Sequence, residues 1–395
     1  MIAILLSPIY ILTNFYIGWR IFQWMNACHH IFQNPFLRIL LLLLYLIIAT
    51  APLTGFLIKK PRLLHRILKN IGNYFLGIFC YLLVTLVFLD LARLVLIFGI
   101  HLKFLDNRMV FILTGAFAAF FIITISAYGI YQSKRLQITS YQITVTGKPH
   151  TKDSLKIVLL ADLHLGYNSG TVHAMKIVQA INLLHPDLIC IAGDIFDNEY
   201  EALDSPGNLI TVFQSLKAPC GIYACWGNHD IEEPILAGFT FSNRKNITAD
   251  PRMEEFLQKS RIRLLEDQKT YLGDSFCLIG RKDEERTKKL KEKRLSPEEL
   301  LSETDKKMFL ILMDHQPKDL QTLSSCGIDL HLSGHTHDGQ MFPVNLITRL
   351  SWKNSYGHLE IGNMHSIVTS GAGVWGPGIR VGTRSEICSI TVHFN

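Results

Sequence analysis

The stretch Ile157-Val158-Leu159-Leu160-Ala161-Asp162-Leu163-His164 is a short apolar run that ends in an acid and an imidazole. Four further apolar runs end in polar clusters in the same way: 188–192 before Gly193-Asp194, 222–224 before Gly227-Asn228-His229-Asp230, 309–313 before Asp314-His315, and 328–332 before Gly334-His335-Thr336-His337. Helical patterns over 172–184 and 319–323 separate some of these runs, and residues 136–145 alternate like a strand. Strands that alternate with helices predict an α/β sheet.

The polar clusters are expected to lie together. Residues at the carboxyl ends of parallel strands meet at one rim of an α/β sheet, where binding sites are usually built. That rim would hold Asp162, His164, Asp194, Asn228, His229, His315, His335 and His337. Taken singly, each of these residues is more often a helix cap or a solvated loop residue. Five clusters in succession favour a common site.

Carboxylate, carboxamide and imidazole groups together suit a divalent ion such as Mn, Fe or Zn. Eight such groups exceed what one ion needs. A shared carboxylate can bridge two ions that lie roughly 3.5–4 Å apart, an arrangement that holds phosphate oxygens and activates water. The sequence therefore predicts a site for two divalent metal ions.

The order of these motifs resembles that of the calcineurin-like metallophosphoesterase superfamily. Its signatures D-x-H, G-D, G-N-H-[DE], a lone His and G-H-x-H stand here as Asp162-Leu163-His164, Gly193-Asp194, Gly227-Asn228-His229-Asp230, His315 and Gly334-His335-Thr336-His337. The stretch 334–343 and the tail 376–380 are most similar to the membrane-associated group of YkuE and YaeI proteins. The resemblance covers about residues 155–340.

The resemblance implies a fold and a set of roles. The fold would be a four-layer sandwich, in which two mixed β-sheets pack together and helices flank them. One ion would be bound by Asp162, His164 and His337, the other by Asn228, His315 and His335, and Asp194 would bridge the two ions. His229 would stabilise or protonate the leaving oxygen, held by its acidic neighbour Asp230. The two ions would activate water for attack on phosphorus and offset the developing charge.

Two further segments leave alternatives open. Arg380, in the glycine-rich tail, could reach into the site and pair bidentately with phosphate, but glycine-rich turns that join edge strands explain the tail equally well. Residues 281–307 hold ten basic and eight acidic residues. Such a run predicts a solvated, mobile insertion, in which Ser296-Pro297-Glu298-Glu299 is typical of a helix start.

The N-terminal part has a different composition. Residues 1–150 hold two acids, Asp90 and Asp106, against thirteen Lys and Arg, so the formal charge is +11 there and −5 in the remainder. Nucleic acid is therefore not expected as a main partner of the soluble part. Four apolar stretches, 2–19, 39–58, 71–89 and 110–130, approach the roughly 20 residues that a membrane-spanning helix needs. We expect an all-α transmembrane anchor over 1–133 and the metallophosphoesterase domain over 134–395.

The distribution of basic residues predicts the orientation. The link between the second and third stretches carries Lys59, Lys60, Arg62, Arg66 and Lys69. Such a link faces the cytoplasm, and two further crossings bring the soluble domain to the same side. Six cysteines without a CxxC pair in the soluble part agree with a reducing compartment, whereas the triplet Asn246-Ile247-Thr248 argues for the opposite side. Asp90 and Arg93, one helical turn apart, are expected to form an interfacial pair or a polar site in the bundle.

These features favour a membrane-anchored phosphoesterase of the cell membrane. The bond that it hydrolyses would be a phosphomonoester, phosphodiester or pyrophosphate bond, and a lipid-linked substrate similar to UDP-diacylglucosamine is preferred because tethering raises the encounter with membrane-borne head groups. A phosphoprotein phosphatase and a nucleotide phosphodiesterase are alternatives. A non-enzymatic membrane sensor or scaffold is a further alternative, although such proteins usually lack a ligand and none is missing here. A transporter with a regulatory domain finds little support in a single pair of charged residues.

Overall fold

The computed structural model describes residues 2–148, 152–236, 239–240 and 247–395. The chain divides into two compact units. The first, here called the helical unit, holds Met1–Ile130, Ile235–Phe241 and Gly376–Ile379; the second, the sandwich unit, holds Tyr131–Pro234, Ser242–Trp375 and Arg380–Asn395. The division at residue 133 stays a prediction. The glycosylation triplet begins at Asn246, which lies outside the described residues.

The N-terminal part of the chain is helical, with α1 Ile2–Cys28, α2 Pro35–Leu57, α3 Arg62–Leu94 and α4 Arg108–Lys134. Within the described residues three helices are long and apolar enough to cross a membrane: Pro35–Leu57, Arg62–Gly99 and Arg108–Lys134. They contain the third and fourth predicted spans and all of the second except Ile58. The first predicted span, 2–19, lies in α1, where the side chains of residues 2–6 are not among those described.

Charged residues of the helical unit pair differently from the sequence-based expectation. Asp90 accepts hydrogen bonds from Arg20 and from the Tyr16 hydroxyl, while Arg93 pairs with Asp106 at 2.7 Å. The two residues one turn apart on α3 therefore do not pair with each other. Their partners come from other helices and from the following loop, which spacing along one helix cannot reveal.

The strands are β1 Leu136–Val145, β2 Ser154–Leu160, β3 Leu188–Ala192, β4 Ile222–Cys225, β5 Ile235–Leu236, β6 Phe239–Thr240, β7 Arg263–Leu264, β8 Gln268–Leu272, β9 Phe276–Gly280, β10 Phe309–Met313, β11 Leu330–Ser333, β12 Gly357–Ile361, β13 Met364–Val368 and β14 Ser385–Phe394. The remaining helices are α5 Thr171–Leu184, α6 Pro206–Gln214, α7 Pro251–Lys259, α8 Glu284–Leu290, α9 Pro297–Leu301, α10 Leu320–Cys326 and α11 Val344–Ser351. Within the part of the chain that the structure describes, five short 3₁₀ or π helices connect some of these elements.

Two six-stranded sheets form the sandwich unit. The first has the order β1-β14-β2-β3-β4-β7 and the second the order β12-β13-β11-β10-β9-β8. Both are mixed, because β14 runs antiparallel to β2 and the hairpins β12–β13 and β8–β9 are antiparallel, while the other neighbours are parallel. The predicted fold class of two mixed sheets flanked by helices is confirmed.

The alternation of side chains along β2 explains why residues 157–160 are all apolar. Ile157 and Leu159 pack in the cluster between the two sheets, whereas Val158 and Leu160 pack in the cluster under α5, α6 and α7. A strand that is buried on both faces is a continuous apolar run. A third cluster packs α9 and α10 on the outer face of the second sheet, which completes four layers.

The charged segment 281–307 differs from its prediction. The expected capping box is present, because Ser296 and Glu299 exchange hydrogen bonds at the start of α9. The segment is not solvated throughout, however: Arg281 is buried and pairs with Asp314 at 3.1 Å and with Asp319 at 3.0 Å, whereas Lys291 and Lys293 are exposed. Composition misleads for Arg281 because both of its partners lie outside the segment.

Candidate metal centre

The five polar clusters follow β2, β3, β4, β10 and β11, and the structure brings them to one rim. The backbone turns sharply there: Asp162, His164, Asp194, His335 and His337 all have positive φ, between 42° and 71°. For residues other than glycine this left-handed conformation is uncommon and marks a constrained turn. The turns direct the side chains back over the ends of the strands instead of along them.

The first group of potential ligands joins Asp162, His164 and His337, which are all buried. The Nε2 atoms of His164 and His337 lie 3.1 Å apart, and His337 Nε2 lies 3.6 Å from Asp162 Oδ1. Asp162 also accepts the backbone N–H of His335. Burial raises the pKa of the Asp162 carboxyl to about 6, which shows how strongly this place disfavours a carboxylate without a counter-charge.

The second group joins Asp194, His315 and His335. Asn228 belongs to it as well, since its Oδ1 lies 3.1 Å from His315 Nε2 and 2.9 Å from His335 Nδ1. His335 Nδ1 and His315 Nε2 are themselves 3.2 Å apart. All seven predicted metal ligands are thus brought together at the rim.

Asp194 lies between the two groups. Its Oδ2 atom is 3.7 Å from Nε2 of His164 in the first group and 3.1 Å from Nε2 of His315 in the second. Burial raises the pKa of the Asp194 carboxyl, but attraction to the protonated form of His315, together with His229 and His164, outweighs burial and holds the pKa well below its usual range. An ionised carboxylate between two sets of donors has the position expected of a ligand that bridges two cations.

The donor set fits divalent ions. His315 Nδ1 lies 2.8 Å from the carbonyl oxygen of Ala192, and only an N–H can pair with that oxygen. In the neutral ring the lone pair of Nε2 therefore points towards Asn228 and Asp194, as in metal-binding histidines whose other nitrogen is held by a carbonyl. Lone pairs converging in a buried site repel one another unless a cation or a proton lies between them.

His229 is held by a residue that the sequence did not suggest. Its Nδ1 hydrogen-bonds with Oδ1 of Asn198, its backbone N–H donates to Asp194 Oδ1 at 2.8 Å, and its carbonyl accepts the backbone N–H of Asn198. Burial lowers the pKa of His229 to about 4, so the ring is neutral near pH 7.

Asp230 does not hold His229, contrary to the expectation. Its carboxylate accepts the backbone N–H groups of Phe196 at 2.8 Å and of Gly227 at 2.7 Å. These bonds join the loop after β3 to the loop after β4. Asp230 thus fixes the backbone on which Asp194 and Asn228 stand, and burial raises the pKa of its carboxyl to about 7.

Arg380 is fully buried next to the first group. Its Nη2 donates to the carbonyls of Ser370 at 2.6 Å and of Gly373 at 2.7 Å, and lies 3.3 Å from Nδ1 of His337. The predicted bidentate contact with phosphate finds no support in these bonds, because they engage the guanidinium with the glycine-rich turn. Arg380 thus contacts both the glycine-rich turn and His337.

Four residues near the site were not assigned from the sequence. Asn198 and Asp197 come from the loop after β3, and Asp197 Oδ1 lies 3.5 Å from His164 Nδ1. Trp352 packs edge-on against His335 with ring centroids 5.4 Å apart, and Trp375 lies 6.0 Å from His229. Because Asp197 and Asn198 closely follow the Gly193-Asp194 motif, their position in the sequence could have indicated that they lie near the site. Neither tryptophan belongs to a motif.

Comparison with known proteins agrees with this geometry. Residues 155–339 match the family model described as Calcineurin-like phosphoesterase. The chain therefore contains a calcineurin-like metallophosphoesterase domain, and the resemblance inferred from the motifs is confirmed.

Relatives with this domain include membrane proteins. The "Transmembrane protein with metallophosphoesterase domain" of Danio rerio is 30% identical over 274 residues, which are 68% of this chain and 60% of that protein. An uncharacterized metallophosphoesterase of Campylobacter jejuni is 28% identical over 274 residues, 67% of each chain. The UDP-2,3-diacylglucosamine pyrophosphatase LpxG of Chlamydia trachomatis is 25% identical over 220 residues, 47% of this chain and 64% of LpxG. The matches span 60–67% of these relatives' lengths. Together with the three apolar helices they make this a membrane-associated protein.

Proposed function

We propose that the protein is a membrane-anchored hydrolase that uses two divalent metal ions to cleave a phosphoester or pyrophosphate bond. The observation that carries this proposal is the place of Asp194, whose Oδ2 faces one histidine of each ligand group. A single ion would leave one group without a role. The complete ligand set also argues against a scaffold that has lost turnover.

We assign one ion to Asp162, His164 and His337 and the other to Asn228, His315 and His335, with Asp194 shared. The ions, which we expect to be Mn, Fe or Zn, would supply Lewis-acid stabilisation of the phosphate charge and lower the pKa of water. The protein's own part is to hold these seven donors in a buried rim.

We assign to His229 the transfer of a proton to the leaving oxygen. Because Nδ1–H is engaged by Asn198, Nε2 carries a lone pair in the neutral ring, and it would first take up a proton from water and then give that proton to the leaving oxygen. The bond from Asn198 fixes both the tautomer and the direction of the ring. A positioned acid or base of this kind typically contributes roughly 10²–10⁴-fold to the rate.

The substrate class that we prefer is a lipid-linked pyrophosphate or phosphoester similar to UDP-diacylglucosamine. The three apolar helices and the 25% identity to LpxG support this preference. The basic link after α2 supports a cytoplasmic catalytic domain, because links rich in Lys and Arg stay on that side.

The test is a comparison of initial rates with the full chain in detergent micelles. The substrates are a lipid-linked pyrophosphate, a phosphopeptide and a cyclic nucleotide, with Mn and Zn supplied separately. We expect metal-dependent hydrolysis, fastest on the lipid pyrophosphate, and its loss in Asp194→Asn. Faster hydrolysis of the phosphopeptide or the nucleotide would reassign the substrate class. No hydrolysis of any substrate by a protein that holds two ions would refute the enzyme and favour the scaffold.

A further inference from the structure

Helix α11, Val344–Ser351, has its polar and apolar faces reversed relative to a helix that packs on a protein core. Its apolar side chains Leu346, Ile347 and Leu350 are exposed, with Ile347 63% and Leu350 89% accessible. The side chain that turns inward is Asn345, which is buried. An amphipathic surface helix normally buries its apolar stripe, so this helix has an unpartnered apolar face.

The helix is joined closely to the candidate metal centre. It follows the turn His337–Gly339, and Arg349 forms a two-pronged ion pair with the buried Asp338, with distances of 3.2 and 3.1 Å. A Cβ on Gly339 would overlap the backbone of Asn345, so the helix and the turn are in direct contact. The exposed apolar face therefore lies on an element that is fixed to the ligand loop of His337.

Exposure of such an apolar face to water is energetically unfavourable. Several adjacent exposed aliphatic side chains on one helix mark a contact with a partner or a membrane, and an amphipathic helix can lie in the plane of a bilayer with its apolar side in the acyl boundary. This chain also carries three helices long enough to span a membrane, so a bilayer is always near.

We propose that the apolar face of α11 docks on the lipid bilayer surface, with Leu346, Ile347 and Leu350 in the acyl boundary. This docking would open the metal centre towards lipid head groups and so make the proposed substrate class more specific. The substrate class rests on the proposed function. The docking itself requires no hydrolysis.

The first experiment detects the contact directly. A photo-reactive p-benzoylphenylalanine replaces Leu350 in the full chain, which is reconstituted in phosphatidylethanolamine–phosphatidylglycerol vesicles and irradiated. The matched control carries the same group in place of Leu183, a leucine at the end of α5 that is 79% exposed. Mass spectrometry should find lipid adducts at position 350 and none above background at 183. No lipid adduct at 350, equal adducts at both positions, or an adduct with a second protein copy at 350 would each overturn the proposal.

The second experiment measures the consequence. Leu350→Ser should lower kcat/KM roughly tenfold on a vesicle-borne lipid pyrophosphate, as expected when a leucine no longer enters hydrocarbon. Hydrolysis of water-soluble p-nitrophenyl phosphate should be unchanged, and Leu183→Ser should change neither rate. An equal loss on both substrates would show a folding or site defect and refute the docking role. If the wild type hydrolysed neither substrate, the proposed function would fail, while the cross-linking result would still decide whether α11 contacts lipid.

Discussion

The substitution Gly227→Ala adds a single methyl group beside Asp194 and so tests how precisely this candidate metal ligand must be placed. A Cβ at this position would overlap Oδ1 and the backbone nitrogen of Asp194 and would lie 2.9 Å from its Cγ, whereas ordinary contacts begin at 3.4 Å. The carboxylate oxygen must therefore move by about 1 Å. Metal–ligand distances tolerate only about 0.2 Å, and a displacement near 1 Å can lower turnover on the order of a hundredfold.

The expected result is a protein that folds but has lost metal. Overpacking of this kind costs about 1–3 kcal/mol, so the far-ultraviolet circular dichroism should persist with a lower melting temperature. Elemental analysis should find fewer than two ions per chain, and turnover should fall on the order of a hundredfold. Gly207→Ala is the matched control, because it makes the same change at an exposed position of α6 with nothing within 4 Å of the new Cβ. Unchanged metal content and turnover in Gly227→Ala would refute the packing of Asp194 described above.

Four further outcomes are expected. Asp194→Asn should lower the metal content measured by elemental analysis, and two ions retained per chain would exclude a bridging role. His229→Ala should keep its metal but lose roughly 10²–10⁴-fold in turnover; an unchanged rate would contradict its assignment. Asn198→Gly keeps the positive φ and removes the amide, so turnover should fall roughly tenfold or more at constant metal content, and full activity would show that His229 needs no such partner. In intact cells Lys59→Cys, after α2, should resist a membrane-impermeant maleimide that labels Gln33→Cys, in the link between α1 and α2, and the reverse pattern would invert the proposed orientation.

Predictions from the sequence succeeded where a feature depends on local order along the chain. In the run from Ile157 to His164, the continuous apolar residues predict a buried strand, and the final acid and imidazole predict a pair of metal ligands. Both features depend only on neighbouring residues. The strand 136–145 and the helix start at Ser296 were recognisable for the same reason. Length and apolar composition alone identify the spans of α2, α3 and α4.

The sheet class, the ligand types and the apolar N-terminal segments follow from consecutive residues, because periodicity and motif order are local properties of the chain. Which groups meet depends on the folded chain: Asn198 rather than Asp230 holds His229, and the guanidinium of Arg380 donates to backbone carbonyls. The folded chain also directs Leu350 outward. The bond between Asn198 and His229 joins residues 31 positions apart in the chain. The directions of the side chains of His229, Arg380 and Leu350 follow from backbone turns and packing that no spacing rule specifies.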